Sequence, residues 1–150
     1  MKIFVGSSTS AKKQAKDFIE GCANPNVKFI PWWEQFTAGR TLLEELTRIK
    51  NEVNAAVLIM TPEGVATNTK GTQIVMPNLN VLFEFGFFYG TLGKDKTIIA
   101  KYGHVDLPSD LSGYIHVSGS KFFKPNAGVI VGKKTKSEFD RWLSSLIGTI

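Results

Sequence analysis

The sequence predicts a single α/β domain built around a parallel β-sheet with helices on both faces. Short apolar runs alternate along the chain with segments of helical periodicity, which is the pattern of repeated strand–helix units. The run at 55–60 is almost continuously apolar, as expected of a central parallel strand covered on both faces. A length of 150 residues suits one domain with a substantial core. The predicted layout is therefore a flavodoxin-like, doubly wound sheet with right-handed crossovers.

Two strands and two helices are predicted in the part of the chain that precedes the central strand. Residues 2–5 are a short apolar run ended by a glycine, which predicts a buried first strand. Apolar side chains recur on one face of residues 11–20, so a helix is expected there. Residues 27–30 predict a second strand, and leucine, isoleucine and valine at helical spacing predict a helix over 42–53.

The second half continues the same alternation after a polar interruption. Residues 63–76 are rich in glycine, threonine and asparagine and are predicted to form a mobile loop. Residues 80–92 predict a very apolar helix, and residues 97–100 another buried strand. A short strand is expected at 114–117 and a closing amphipathic helix at 137–147.

Ligands bind such sheets beyond the carboxyl ends of the strands, where the connecting loops gather. This rule gathers four segments around one predicted crevice, namely residues 6–10, 31–36, 61–64 and 101–110. Candidate functional residues are therefore sought mainly in these loops and in the helix that borders them.

The composition excludes several classes of function. No apolar run approaches the roughly 20 residues of a membrane helix, and Cys22 has no partner for a disulfide, so we expect a cytoplasmic protein without membrane contact. The net charge of +5 comes from fifteen lysines and three arginines spread along the chain, which makes nucleic acid an unexpected partner. Cys22, His104 and His116 lack metal-ligand spacing, so no metal site is predicted.

Glu84 is the residue that points most directly to chemistry. It is the only charged residue in the helix at 80–92, whose apolar side chains surround the helix axis, so it should be buried. Burying an unpaired carboxylate is costly and raises its pKa, and proteins tolerate this cost mainly at functional sites. Asn80 lies one turn earlier on the same face. The alternative is a structural Glu84 that pairs with a lysine or caps a loop amide.

The loop at 6–10 and Asp110 are further candidates for ligand contact. Gly6, Ser7 and Ser8 begin a loop whose hydroxyls and amides precede a helix, which is a natural anion site. Helix capping by these side chains is the alternative interpretation. Asp110 is placed either to hydrogen-bond a ribose or to order its own loop.

Trp32 and Trp33 follow the second strand directly. Pleating predicts that they point to opposite faces, one toward the core and one toward the crevice, where an indole ring can stack on a base. A core role for both is the alternative.

Five motifs occur in order over nearly the whole chain: Ile3-Phe4-Val5-Gly6-Ser7-Ser8, Pro31-Trp32-Trp33, Leu58-Ile59-Met60-Thr61-Pro62, Asn80-Val81-Leu82-Phe83-Glu84-Phe85-Gly86 and Leu107-Pro108-Ser109-Asp110-Leu111. Together they resemble the bacterial TIR-like predicted nucleotide-binding family. Members of that family occur as effector domains in anti-phage signalling, including fusions to STING-type cyclic-dinucleotide sensors. Two positions depart from the family pattern, because Asn78-Leu79 replaces an Arg-Asp pair and Pro62-Glu63-Gly64 replaces Pro-Asp-Asp.

The resemblance implies an activity and an organisation. Catalytic TIR domains cleave the nicotinamide–ribose bond of NAD+, and the catalytic glutamate of the family falls on Glu84. NAD+ would be the substrate, with no cofactor. Residues 1–150 would form one TIR-like nucleotide-binding domain, as the N-terminal effector part of a longer protein. Self-association into an oligomer or filament, and a fused or partner cyclic-dinucleotide sensor, are implied as well.

Cleavage of a nucleotide N-glycosidic bond passes through an oxocarbenium-like ribose. A carboxylate beneath the sugar can stabilise that cation, hold the ribose hydroxyls or attack the anomeric carbon, and the sequence leaves these roles open. Two other functions also stay open. One is a nucleoside deoxyribosyltransferase or nucleotide N-glycosidase, and the other is a non-enzymatic TIR self-association module.

Overall fold

A computed structural model describes residues 1–111, 114 and 116–148. Its helices and strands are, in chain order, β1 (Lys2–Gly6), α1 (Lys12–Gly21), β2 (Lys28–Pro31), α2 (Leu42–Ile49), β3 (Ala55–Met60), β4 (Gly64–Thr67), β5 (Gln73–Met76), α3 (Leu79–Leu92), β6 (Thr97–Lys101), β7 (Val117–Ser118) and α4 (Lys133–Ile147). Five strands form one sheet in the order β2-β1-β3-β6-β7, and every neighbouring pair is parallel. The predicted doubly wound α/β fold is confirmed.

The core consists of two layers, one on each face of the sheet. Alternation along β1 divides it, since Ile3 packs with the α1 and α4 side chains and Phe4 packs with those of α2 and α3. Every residue of β3 is buried, as the continuous apolar run predicts. The helix α3 therefore lies against the middle of the sheet and has its N-terminal end at the strands' carboxyl edge.

The register brings the predicted crevice together. Gly6, the last residue of β1, lies opposite Leu58 of β3. The loop after β1 therefore begins next to the loop that follows β3. On the other side Val5 pairs with Pro31, so the Trp32–Glu34 3₁₀ turn begins at the same edge. Three of the loops expected around the crevice thus start side by side.

The prediction of a mobile loop over 63–76 is wrong. This segment forms the antiparallel β4–β5 hairpin, in which Gly64 pairs with Met76 and Thr67 with Gln73. Asn68 closes the turn, because its Oδ1 accepts hydrogen bonds from the amides of Lys70 at 3.0 Å and Thr72 at 2.9 Å. Burial does not alternate along either strand, and the glycine and threonine content is typical of loops, so the sequence pattern did not indicate the hairpin.

Asp106 fastens the hairpin to the domain. The Val75 amide donates to Asp106 Oδ2 at 2.8 Å, and the Asp106 amide donates to the Val75 carbonyl at 2.8 Å. These bonds explain why so polar a segment is ordered.

Other differences from prediction are shifts of element ends. The last helix begins at Lys133 instead of residue 137, and α2 ends at Ile49. The chain beyond α2 tightens into a turn in which the Glu52 amide donates to the Ile49 carbonyl at 2.8 Å. The strand predicted at 114–117 includes Ile115, which lies outside the described residues, and the strand itself is Val117–Ser118. Among the described residues, no helix is long and apolar enough to cross a membrane.

Candidate functional site

Glu84 is buried near the carboxyl edge of the sheet, with 3% of its surface exposed. It lies in α3, whose first turn is fixed by Asn78, since Asn78 Oδ1 accepts hydrogen bonds from the amides of Asn80 at 2.9 Å and Val81 at 3.2 Å. Within the described part of the chain, Glu84 Oε2 is buried without a hydrogen-bond partner. Neither the lysine partner nor the capped amide of the structural alternative is found there.

The pKa of Glu84 is raised from 4.5 to about 8, because burial disfavours the charged carboxylate. Cationic side chains are absent from the described residues that line the space around it. A carboxyl group with this pKa changes its charge near neutral pH and is sensitive to any cation that enters the space.

Gly6 makes room for this carboxyl group. A Cβ atom at Gly6 would overlap Glu84 Oε2 and lie 2.7 Å from Leu58 Cδ1. The absence of a side chain therefore lets β1 and α3 approach closely at the point where Glu84 emerges. Gly6 is predicted to bind substrate; in the structure its evident role is to admit Glu84.

A cavity of about 220 Å³ opens beside Glu84. It is lined by Ser7, Ser8, Thr9, Trp32, Phe36, Leu42, Asn78, Asn80 and Glu84. The structure thus brings four of the predicted site residues, Ser7, Ser8, Trp32 and Asn80, together with Glu84. Of the other four lining residues, Thr9 and Phe36 belong to the segments predicted to surround the crevice but were not singled out, and Leu42 and Asn78 were missed. Asn78 had a signal, since asparagine directly before a helix is a preferred N-cap, whereas Phe36 and Leu42 look like ordinary apolar residues.

Asp110 is not part of this group. It lines a separate cavity of about 1000 Å³ beside α4 and the β6–β7 edge. The 3₁₀ turn Ser109–Leu111 carries it there, away from the ends of β1 and β3. The structure therefore does not bring Asp110 to Glu84. The smaller cavity is the better candidate site, because it contains the buried carboxyl group without a partner.

The two tryptophans point to different faces, as predicted, although they lie in a 3₁₀ turn and not in a pleated strand. Trp32 lines the Glu84 cavity, and its Nε1 donates to Ser7 Oγ at 2.8 Å. Trp33 packs on the α1 side, where Lys12 Nζ and Lys16 Nζ lie 5.5 and 5.8 Å from its ring centroid. Trp32 is thus the member of the pair that is able to contact a ligand.

The wall of the cavity opposite α3 is held by charged groups outside it. The buried Glu45 pairs with Arg48, whose Nη2 lies 2.9 Å from Glu45 Oε2. The same Arg48 Nη2 donates to the Gln35 carbonyl at 3.0 Å. Gln35 precedes Phe36, so this bond fixes the loop that carries Phe36 to α2.

The serine loop does not present an open anion site. The Glu63 carboxylate accepts hydrogen bonds from the hydroxyls of Ser8, of Ser10 at 2.9 and 3.0 Å, and of Thr61 at 2.9 Å. A carboxylate of the protein therefore occupies the position where an external anion was expected. The Ala11 amide donates to Ser8 Oγ at 3.2 Å, which agrees with the alternative of local capping.

The arrangement suits a neutral or cationic ligand with a planar ring. The cavity combines one carboxyl group without a partner, the rings of Trp32 and Phe36, and hydroxyl and amide oxygens. Among the described residues, no three histidine, cysteine, aspartate or glutamate side chains lie close enough together to hold a metal ion.

Comparison with known proteins identifies the family to which the sheet and the Glu84 cavity correspond. Residues 2–121 match the family described as CAP12/Pycsar effector protein, TIR domain. The CD-NTase-associated protein 12 of Sphingobacterium faecium is 30% identical over 112 residues, which cover 75% of this chain and 34% of that protein. A Pycsar effector protein of Pseudomonas aeruginosa is 36% identical over 115 residues, covering 74% and 37% respectively.

A eukaryotic protein is also similar to part of this chain. Protein tirC of Dictyostelium discoideum is 31% identical over 103 residues, which cover 61% of this chain and 51% of that protein. The chain spans between about a third and a half of the length of these three curated relatives.

We predict that Glu84→Gln gains stability relative to the parent as the pH rises. The folded protein holds the Glu84 proton up to about pH 8, whereas an unfolded chain releases it near 4.5. The bound proton therefore contributes to the unfolding free energy of the parent in full below pH 4.5. This contribution is lost as the pH rises to about 8 and stays lost above it. Glutamine cannot ionise, so the variant avoids this loss.

Urea unfolding between pH 5 and 9 measures the effect. The difference in unfolding free energy between variant and parent should grow by on the order of 4 kcal/mol over this range. The exposed Glu20→Gln is the matched control and should show no such growth. A difference between Glu84→Gln and the parent that does not change with pH would contradict the prediction.

Proposed function

The chain belongs to the TIR-domain family of CAP12/Pycsar effector proteins, and from this premise we propose that it is an NAD+ glycohydrolase with Glu84 as the catalytic residue. The observation that carries the proposal is the Glu84 carboxyl group, which is 3% exposed and has an oxygen without a partner beside a cavity. Such a group is costly to maintain in a fold, and a cationic substrate offsets that cost.

The chemistry requires one well-placed carboxylate. In NAD+ the nicotinamide ring carries a positive charge, so the electron pair of the bond to ribose leaves with the ring and gives neutral nicotinamide. The ribose becomes oxocarbenium-like, and addition of water yields ADP-ribose and a proton. A carboxylate beneath the ribose stabilises this transition state by charge. No general acid is needed, because the leaving group departs without protonation.

The substrate cation also acts on Glu84 itself. Burial alone holds the pKa of Glu84 at about 8. A pyridinium ring placed beside the carboxyl group favours the ionised form and lowers this pKa. The catalytic charge is therefore strongest when the correct substrate is bound.

The dimensions of the cavity favour binding of one end of the dinucleotide. Its volume of about 220 Å³ is below the roughly 300 Å³ at which sites for whole drug-sized ligands begin. The nicotinamide riboside end fits such a volume, and the adenosine end remains outside. Trp32, with its indole nitrogen fixed by Ser7 at 2.8 Å, offers a ring face for stacking. Asn80 lies at the exposed rim, one turn before Glu84.

We further propose that the domain acts as an effector in a cyclic-nucleotide-controlled defence against phage, with a fused or separate sensor. The family description and the longer relatives support this role. Self-association is part of the proposal, since α3 exposes Leu79 at 65% and Phe83 at 49% near the cavity. Exposed apolar side chains on one helix form a surface that a second copy of the chain is able to cover.

Glu84→Gln should abolish release of nicotinamide from NAD+ without unfolding the domain. The amide keeps the volume of the side chain but cannot supply the negative charge. Nicotinamide is measured by chromatography after incubation at high protein concentration, and melting is measured in parallel. Glu20→Gln, which lies on the exposed face of α1, is the matched control and should retain activity. Full turnover by a well-folded Glu84→Gln would remove Glu84 from the mechanism.

The same assay separates the alternative enzyme from the proposed one. NAD+ and free nucleosides are supplied side by side to the parent protein. We expect cleavage of NAD+, whereas a deoxyribosyltransferase or nucleoside glycosidase would release bases from the nucleosides instead. Absence of turnover on both substrates in the assembled protein would favour the self-association module.

Replacing the two tryptophans should separate binding from stability. Trp32→Ala removes a ring from the Glu84 cavity and should raise KM for NAD+ by about tenfold, as expected for loss of one stacking contact. Trp33→Ala should instead lower the unfolding free energy by about 2–3 kcal/mol, because this half-buried ring packs on the α1 layer. Equal losses of stability with unchanged kinetics would refute a stacking role for Trp32.

The specific activity should fall on dilution. If a neighbouring copy completes or orders the site, assembly raises the population of the active state. Nicotinamide release per molecule is measured over a wide range of protein concentrations, with the oligomeric state determined by sizing at each one. Phe83→Ser, at an exposed position, should shift the loss of activity to higher concentration. Constant specific activity down to the monomer would exclude activation by assembly.

A further inference from the structure

Glu63 is a second carboxylate at the same edge of the sheet, and its surroundings are the opposite of those of Glu84. It stands at the base of the β4–β5 hairpin, where its amide donates to the Met76 carbonyl at 2.9 Å. Its side chain is exposed to solvent and accepts hydrogen bonds from three hydroxyls, those of Ser8, Ser10 and Thr61. Two of these belong to the loop that leads into the cavity.

The hydroxyl protons of the serine loop are therefore already used. Ser7 Oγ donates to the Ser8 carbonyl at 2.9 Å and accepts from Trp32 Nε1. The hydroxyls of Ser8 and Ser10 donate to Glu63. A hydroxyl has a single proton, so toward a ligand these three side chains offer lone pairs only. An anion such as phosphate requires donors and would find acceptors.

The charges around the cavity also disfavour an anion and favour an uncharged or cationic ligand. None of the residues that line it is a lysine or arginine, although the chain carries eighteen of them. The ionised Glu63 adds a negative charge at the start of α1, where an anion would otherwise be attracted by the helix N-terminus. The hydroxyls of Ser7, Ser8 and Ser10 therefore offer a phosphate oxygen no proton, and no lysine or arginine among the described lining residues offsets its charge.

We propose that Glu63 is a specificity-determining residue that keeps phosphate groups away from the Ser8–Ser10 side of the cavity. It thereby selects the uncharged or cationic nucleoside end of the substrate. This inference rests on the proposed function and deepens it. A ribosylated pyridinium without a phosphate next to its ribose is preferred over its 5′-monophosphate. In NAD+ the diphosphate is directed out of the cavity, away from Glu63.

Removal of Glu63 should convert the loop into an anion site. In Glu63→Ala the protons of Ser8 and Ser10 become available beside the N-terminus of α1, which is the arrangement that binds phosphate in many proteins. In Glu63→Gln the negative charge is lost while the size of the side chain is kept. Both variants should bind phosphate at the loop, the alanine variant more tightly.

Titration of the whole chain with inorganic phosphate, followed by the amide resonances of residues 8–12, tests this without any enzymatic activity. We expect saturable shifts in both Glu63 variants at phosphate concentrations at least about tenfold lower than in the parent, and a smaller gain at high salt. Glu20→Gln makes the same change of net charge on exposed α1 and should behave like the parent. Equal phosphate binding by parent and variants, or gains that do not map to residues 8–12, would overturn the proposal.

Competition between two substrates gives the functional test. We expect the parent to cleave nicotinamide riboside with a higher kcat/KM than nicotinamide mononucleotide, and Glu63→Gln to reduce this preference about tenfold. A preference equal in parent and Glu63→Gln would overturn the role in specificity. If the parent cleaves neither compound nor NAD+, the proposed function fails, and the phosphate titration still decides the role of Glu63 separately.

Discussion

The burial of one carboxyl group without a hydrogen-bond partner constrains the whole carboxyl edge of this sheet. Glu84 reaches its position because α3 lies across β3 and β6, because Asn78 fixes where α3 begins, and because Gly6 has no side chain. A larger residue at Gly6 would overlap the carboxyl group, so the closest approach of β1 and α3 is set by the space that Glu84 needs. The cavity walls are then completed by Trp32, whose indole nitrogen donates to Ser7 in the same lining, and by Phe36, whose loop is held from outside by the bond from Arg48 to the Gln35 carbonyl.

Two carboxyl groups near this edge illustrate how surroundings assign roles to identical chemistry. Glu63 is exposed and satisfied by three hydroxyls, which makes it a structural and electrostatic element of the loop. Glu84 is buried and has an oxygen without a partner, which makes it responsive to a ligand. Pairs of carboxyl groups whose environments differ in this way are how folds separate acid, base and structural functions. Under the proposed function, the same difference would orient the substrate, with its cation beside Glu84 and its phosphates away from the Ser8–Ser10 loop that Glu63 occupies.

The features that depend on local sequence pattern could be predicted from the sequence. The continuous apolar run at 55–60 predicted the central strand, and a single charged residue in an apolar helix predicted the burial of Glu84. The adjacent tryptophans predicted one ring on each face. The β4–β5 hairpin could not be predicted, because Asn68 and Asp106 stabilise it by bonds that the composition does not reveal. The pairing of Glu63 with Ser8 spans 55 positions in the chain, and the separation of Asp110 from Glu84 depends on a 3₁₀ turn. Contacts of this kind are decided by tertiary packing.

Burial holds Glu84 partly neutral, and on the proposed function a cation that enters the cavity makes it charged. A ¹³C NMR titration of the Glu84 carboxyl carbon measures the pKa of this group directly, with the resonance assigned by comparison with Glu84→Gln. The titration is made on the free protein and again with saturating nicotinamide riboside, at a low temperature where turnover of the bound compound is slow. We expect a pKa of about 8 for Glu84 in the free protein and a clearly lower pKa when the cation is bound. A pKa near 4.5 in the free protein, or one that the cation leaves unchanged, would contradict this expectation.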